Sequence, residues 1–198
     1  MFKKPITETR TVTKTRLKRD LVPTDNFEKS DIKKVRESRH GNVKEYMIGP
    51  AGGYVFYDKG EYSDGWRFLE AAPASTEWDD KRWGGEYGTE VGGTKTEIGS
   101  GKENTQRIVR KIGAGEYAAK LCSDLEYGGY SDWFLPSKDE LDKMYGNLEK
   151  NSIGGDATGY YRSSPEEHSH FAWNQSFGNG NQYGGKHSTE RVRAIRAF

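Results

Sequence analysis

The segment that follows Pro136 constrains the fold of this chain most. Ser137 and Glu140 have the spacing of a capping box, in which each side chain accepts a hydrogen bond from the backbone of the other residue. Apolar residues then recur at helical spacing, namely Leu141, Met144, Tyr145 and Leu148. The pattern predicts an amphipathic helix that must bury one of its sides against the rest of the domain.

Strand-like segments lie on both sides of this helix. Residues 43–49, 54–57 and 66–73 read as strands, and short strands with glycine-rich turns return from Gly159 onward. Two further helical stretches are predicted at residues 103–112 and 116–126, and residues 75–101 are expected to form a long loop in which Trp78 and Trp83 cover the core. Helices between groups of antiparallel strands indicate an α+β domain.

The core of that domain should be built from aromatic side chains. Only 32% of the 198 residues are hydrophobic, whereas 13% are aromatic and 25 are glycine. The single cysteine, Cys122, excludes an internal disulfide and falls in an apolar helical pattern, which favours a buried thiol over a nucleophile.

Charge separates the chain into two parts. Residues 1–45 hold 13 Lys and Arg against 7 Asp and Glu, and the remainder holds 18 against 23. We therefore predict a basic N-terminal arm or assembly segment at residues 1–42 and a ligand-binding domain at residues 43–198. Within the arm, residues 6–16 have a strand pattern, and a short helix is predicted from Asp31, capped by Ser30 or Asp31 itself. The arm is either a partly disordered leader or a segment that orders against a neighbouring subunit or a particle.

Several classes of protein are not supported. The net charge of +1 gives no reason to expect a nucleic-acid partner. No apolar run approaches membrane-spanning length, so no membrane span is expected. The first residues lack the apolar stretch of a secretory signal, which predicts cytoplasmic synthesis without general secretory export.

The last forty residues alternate between two kinds of position. Aromatic and apolar residues that can pack inward are interleaved with small, polar or tyrosine positions that share no catalytic chemistry. In the strand at residues 171–177, Phe171, Trp173, Gln175 and Phe177 should share the face that packs, whereas Ala172, Asn174 and Ser176 should lie on the face that can change freely. Such a mixture is typical of a recognition surface. We therefore expect changing Trp173 to cost stability and changing Ser176 to alter only binding.

Residues 49–60, 65–73, 130–141 and 191–198 together resemble the domain found at the C-terminus of the Legionella collagen-like adhesin and in many bacterial and phage proteins. The resemblance covers roughly residues 45–198. It implies a C-type-lectin-like fold with two helices, short antiparallel strands and long loops, related to the fold of the formylglycine-generating enzyme.

Within that family, residues 160–190 resemble the variable region of a protein diversified by a diversity-generating retroelement. In such systems a reverse transcriptase miscopies adenines, so that asparagine codons become codons for other small or polar residues and tyrosine. The resemblance implies a noncatalytic protein on a virion or cell surface that binds a protein or glycan on a target cell, with no cofactor and no metal. The expected ligand-binding residues are Tyr160, Tyr161, Arg162, Glu166, His168, His170, Asn174, Ser176, Gly178, Asn179, Asn181, Tyr183, Gly184, Gly185, His187 and Ser188.

Two other functions stay open at this point. The first is an invariant lectin-like adhesin that binds sulfated glycans through Arg162, Lys186, Arg191 and Arg193. The second is an enzyme of the formylglycine-generating type, which would need Cys122 to react.

Overall fold

Ten strands and three helices make up the part of the chain that the computed structural model describes, residues 32–39, 42–154 and 158–198. The strands are β1 (Lys33–Arg39), β2 (Asn42–Ile48), β3 (Tyr54–Ser63), β4 (Trp66–Ala71), β5 (Trp78–Lys81), β6 (Tyr160–His168), β7 (Phe171–Ser176), β8 (Gln182–Gly184), β9 (Glu190–Val192) and β10 (Ile195–Ala197). The helices are α1 (Gly101–Ile112), α2 (Ala118–Asp124) and α3 (Lys138–Asn147), with 3₁₀ turns at Ala74–Thr76 and Glu149–Asn151. The α+β class is confirmed.

The strands form two five-stranded sheets. The first has the order β1-β2-β3-β4-β10 with antiparallel pairs throughout, and the second has the order β5-β9-β6-β7-β8. In the second sheet only β6 and β9 are parallel, where Tyr161 faces Arg191. Strands β9 and β10 are consecutive in the chain but belong to different sheets, so the segment that carries them joins the two.

Helix α3 begins as the capping box predicts. The backbone N–H of Glu140 donates to Ser137 Oγ at 3.2 Å, and the N–H of Ser137 donates to Glu140 Oε2 at 2.6 Å. Leu141 and Met144 are buried in the core on the side of the helix that faces the sheets. Burial raises the pKa of Glu140 to about 7, although the N–H groups that it accepts from oppose the shift.

Two large clusters of buried side chains and a small third one at Val55, Phe68 and Phe198 form the core, and aromatic residues are present in all three, as the composition predicts. One large cluster surrounds Trp83 and Trp133 and includes Cys122 from α2. The other large cluster lies between α3 and the sheets and contains Phe56, Phe134, Tyr161 and Phe177. Trp83 is 1% exposed, which confirms that it covers the core.

Two predictions about secondary structure are wrong. The segment after Asp31 is strand β1, not a short helix, and it pairs with β2 in unbroken register from Lys33–Ile48 to Arg39–Asn42. A short helix with so few apolar residues could bury little, whereas the hairpin pairs the backbone groups of both strands. The predicted loop at 75–101 contains β5, which pairs with β9. The strand pattern at residues 6–16 and the predicted caps at Ser30 and Asp31 lie outside the described residues.

Candidate ligand-binding surface

Strand β7 lies between β6 and β8 and carries the central positions of the predicted site. Arg162 on β6 and Tyr183 on β8 both face Asn174, and Tyr160 on β6 faces Ser176. Side chains that are paired across strands, or two residues apart on one strand, lie on the same face of a sheet. One face therefore carries Tyr160, Arg162, Asn174, Ser176 and Tyr183.

The opposite face of β7 is fastened to α3. Gln175 Nε2 donates to Asp142 Oδ1 at 2.8 Å, and Gln182 Nε2 on β8 donates to the Lys138 carbonyl at 3.2 Å. The ammonium of Lys138 also lies 4.7 Å from the ring centre of Trp173. These contacts hold the three strands against the helix, so the other face has a rigid support.

Two exposed tyrosines dominate the supported face. Tyr160 and Tyr183 are each 43% exposed, and their ring centres are 5.8 Å apart with an interplanar angle of 69°. They extend from the strands on either side of β7, which carries Asn174 and Ser176, and these two residues are only 5% and 7% exposed. Asn174 and Ser176 are therefore buried on this face, and Asn174 Nδ2 donates to Glu190 Oε1 at 3.3 Å; that these positions can change freely stays a prediction.

Trp173 is less buried than predicted. It is only partly buried, as is Phe171, whereas Gln175 and Phe177 on the same predicted face are buried. Ala172, which was expected among the freely changing positions, is fully buried against the core. Both faces of β7 are therefore largely covered.

The turn between β7 and β8 presents small polar residues. Gly178, Asn179 and Asn181 are exposed. The N–H of Asn181 donates to Asn179 Oδ1 at 2.9 Å, and Asn181 Nδ2 donates to the Tyr183 hydroxyl at 3.1 Å. The turn therefore fixes the hydroxyl end of one of the two exposed tyrosines.

Arg162 lies on the same face of the sheet but is buried under the segment that it binds, so it supports the surface and does not present its side chain to a ligand. The side chain is fully buried and donates to the Gly185 carbonyl at 2.7 Å, to the Ser188 carbonyl, and to Ser188 Oγ at 3.1 Å. Its nearest carboxylate is that of Glu190 at 4.0 Å, and burial lowers the pKa of Arg162 to about 10. Arg162 thus fixes the segment 185–188, and Gly185 is itself buried beneath that surface.

Glu166 and Tyr161 are likewise internal. Glu166 Oε1 accepts from the N–H of Val91 at 2.8 Å and from that of Gly92, and Oε2 accepts from Lys186 Nζ. The side chains of Glu166 and Lys186 are 3% and 4% exposed, so they form a buried ion pair that links β6 to the loop at 86–92. The ring of Tyr161 is fully buried and packs on Phe177 at 4.3 Å between ring centres. Neither Glu166 nor Tyr161 presents its side chain to a ligand.

The three histidines of the predicted site are exposed and lie near a residue that the sequence reasoning missed. The ring centre of Tyr87 is 4.7 Å from that of His170 and 6.4 Å from that of His187, both in edge-on geometry. His168 lies 6.2 Å from His170. Tyr87 belongs to the segment predicted as a long loop at 75–101, and loops of that length are often functional, which is the signal that could have found it. Gly184 and Ser188, the remaining predicted residues, are partly exposed.

The four cations of the sulfated-glycan alternative are engaged within the protein. Arg162 and Lys186 are described above, and Arg193 is 2% exposed, with its Nε donating to the Ala72 carbonyl at 2.7 Å. Arg191 is partly exposed but binds Asp79 at 2.9 Å and Glu77 at 3.3 Å. No observation on these four side chains therefore favours recognition of sulfate.

The chemistry of the formylglycine alternative is also unsupported by the surroundings of the cysteine. Cys122 is fully buried on α2, and burial raises the pKa of its thiol well above the usual range, which disfavours the thiolate. Among residues 32–39, 42–154 and 158–198, His, Cys, Asp and Glu side chains form no group of three or more suited to a metal ion. The helices within those ranges include none with the length and apolar character needed to cross a membrane.

Comparison with known proteins does not identify the chain. No protein-family model matches it. No curated protein matches it at a significant level. The assignment of a function therefore depends on the residues of the surface described above.

Proposed function

We propose that this protein is a noncatalytic ligand-binding protein with a C-type-lectin-like fold, in which residues 160–190 form a surface that a retroelement diversifies. One observation carries the proposal. Two predicted variable positions on the strands beside β7, Tyr160 and Tyr183, are exposed and in contact with each other, whereas the predicted scaffold residue Gln175 binds α3. A surface of this kind can change its side chains while the supporting contacts stay the same.

The chemistry of the surface favours recognition of a macromolecule. Tyr160 and Tyr183 offer aromatic area and hydroxyl groups at little cost in conformational entropy, and Asn179 and Asn181 at the turn offer adaptable hydrogen bonds. We propose a protein or glycan on a cell surface as the ligand. The exposed residues make the contacts, and Arg162, Glu166 and Tyr161 act as supports.

The N-terminal part of the chain completes the proposal. Residues 1–42 carry 12 Lys and Arg against 6 Asp and Glu, and we propose that the part that precedes β1 attaches the domain to a virion or to a neighbouring subunit. The ligand-binding domain would then be displayed on a virion or cell surface.

The DNA around the coding sequence provides the test. We expect a near-copy of the codons for residues 160–198 that differs from them at adenines and lies beside a reverse transcriptase gene. Absence of such a copy, or a copy whose differences are spread over all four bases, would contradict diversification.

A further inference from the structure

We propose that Tyr87, which lies outside residues 160–190, is a fixed anchor of the ligand-binding surface and that it takes a basic side chain of a protein partner. The proposal rests on the proposed function, because the tyrosine contacts residues of the segment that we assign to ligand binding. It adds a binding residue that variation in that segment would leave unchanged.

Exposure and position support this role. Tyr87 is 60% exposed, the largest value among the bulky hydrophobic residues that the structure describes. The edge-on contacts with His170 and His187 place its ring between the turn that joins β6 to β7 and the segment 185–188. An exposed aromatic ring beside a recognition surface is a typical centre of binding energy.

The loop that carries Tyr87 is held rigidly. The buried Glu166–Lys186 pair binds it at three points, through the N–H groups of Val91 and Gly92 and through the Thr89 carbonyl, which accepts from Lys186 Nζ at 2.8 Å. Because the loop is held in place before binding, little conformational entropy of its backbone is lost when a partner binds Tyr87.

Further contacts fasten the same loop to β6. Thr94 Oγ accepts from the Glu166 N–H at 3.0 Å and donates to the Glu166 carbonyl at 3.3 Å. The indole N–H of Trp83 donates to the Ser164 carbonyl at 3.1 Å, and the ammonium of Lys186 lies 4.2 Å from the centre of the Trp83 ring. The loop is thus tied to β6 on both sides of Tyr87.

The charges near the ring indicate which partner fits. Glu86 precedes Tyr87, Glu90 follows it in the same loop, and Glu167 precedes His168, and all three glutamates are exposed. The cation nearest in sequence to His187, Lys186, is buried and paired with Glu166. An exposed aromatic ring in a loop that also carries exposed carboxylates attracts lysine or arginine through cation–π and ionic contacts.

Selection from a random peptide library tests the proposal with a defined probe. Displayed dodecapeptides are selected on the full-length protein, and recovered sequences are synthesised and titrated by fluorescence anisotropy. We expect a class rich in Lys and Arg whose affinity falls at least about tenfold with Tyr87→Ala. Tyr62→Ala is the matched control, because Tyr62 is 49% exposed and lies on β3. This substitution should change the peptide affinity by less than about twofold.

Each outcome is informative. Peptides that depend on Tyr160 but not on Tyr87 would overturn the Tyr87 proposal and leave the proposed function standing. Peptides that depend on Tyr87 but not on Tyr160 or Tyr183 would support the anchor and count against binding by the predicted surface. A selection that recovers no Tyr87-dependent peptide, or recovers acidic ones, would overturn the proposal. Analytical ultracentrifugation gives one more outcome that would overturn the proposal. If Tyr87→Ala lowers the oligomeric state, the ring contacts a second copy of the chain and not another protein.

The rigid support has its own test. Thr94→Val should speed hydrogen exchange at the amides of Val91 and Gly92 and weaken the Tyr87-dependent peptides. Glu166→Gln combined with Lys186→Met removes both charges at once and should do the same more strongly. Peptide affinity that is unchanged despite faster exchange would show that rigidity of the loop does not contribute.

Discussion

Replacing Gly184 with alanine would test whether a predicted variable position is free to change. A Cβ atom at this position would lie 1.8 Å from Phe171 Cε1 and 2.3 Å from Cδ1, far inside van der Waals contact. Gly184 is not among the glycines with positive φ, so its backbone accepts alanine and only the contact with the ring opposes the change. The ring of Phe171 must therefore move away.

The cost of that movement is the loss of the contacts that the Phe171 ring makes in the folded protein. Phe171 packs edge-on against Trp173 at 5.9 Å and lies 5.7 Å from His168. An aromatic pair contributes about 0.5–1.5 kcal/mol beyond buried area, and part of the roughly 1.5–3 kcal/mol gained by burying a phenylalanine is also lost. We expect Gly184→Ala to lower the free energy of unfolding by about 1–3 kcal/mol.

A double-mutant cycle measured by urea denaturation isolates the clash. Phe171→Ala removes the ring, so Gly184→Ala should cost less than about 0.5 kcal/mol in that background. Gly178→Ala is the matched control, because its nearest neighbour is Ser176 Oγ at 3.7 Å, and it should have little effect. If Gly184→Ala costs under about 0.5 kcal/mol with Phe171 present, the steric reasoning is refuted.

The remaining predictions concern buried charges. Burial raises the folded-state pKa of Glu140 to about 7 from an ordinary value of 4.5, so the stability of the protein should fall as pH rises from about 4.5 to 7. Glu140→Gln should reduce this fall in the urea midpoint. The same dependence of the midpoint on pH in both proteins would contradict the prediction. Arg196→Ala should cost about 3–5 kcal/mol in thermal or urea unfolding, because Arg196 binds the fully buried Glu70 at 2.8 Å. The exposed Arg36–Glu45 pair is its control, where Arg36→Ala should cost under about 1 kcal/mol; similar losses for both would refute the role of burial.

The features that the sequence predicts well are local ones. The capping box of α3 joins residues three positions apart, and the apolar repeat that follows lies on the same helix, so neither needs a distant partner. Strand β1 could not be predicted in this way, because its stability comes from pairing with β2. Its sequence alone is equally compatible with a helical turn.

The candidate site shows the same limit. Alternation along β7 correctly separated Asn174 and Ser176 from Gln175, yet it could not reveal that the side chains of the first two are buried as well. The contacts of Glu166 with Lys186 and Gly92 span 20 and 74 residues, so no local pattern marks this carboxylate as a support.

The segment that joins the two sheets has a consequence for folding during synthesis. Strand β10 completes the first sheet by pairing with β4, and β9 links β5 to β6 in the second. Arg196 and Arg191 bind Glu70 and Asp79 across 126 and 112 residues. Neither sheet is complete until this segment has left the ribosome, so the edge of β4 that pairs with β10 stays without this partner while the intervening residues 72–194 are synthesised. Pairings over such long sequence separations generally form late in folding, and unpaired strand edges are prone to aggregation until they form.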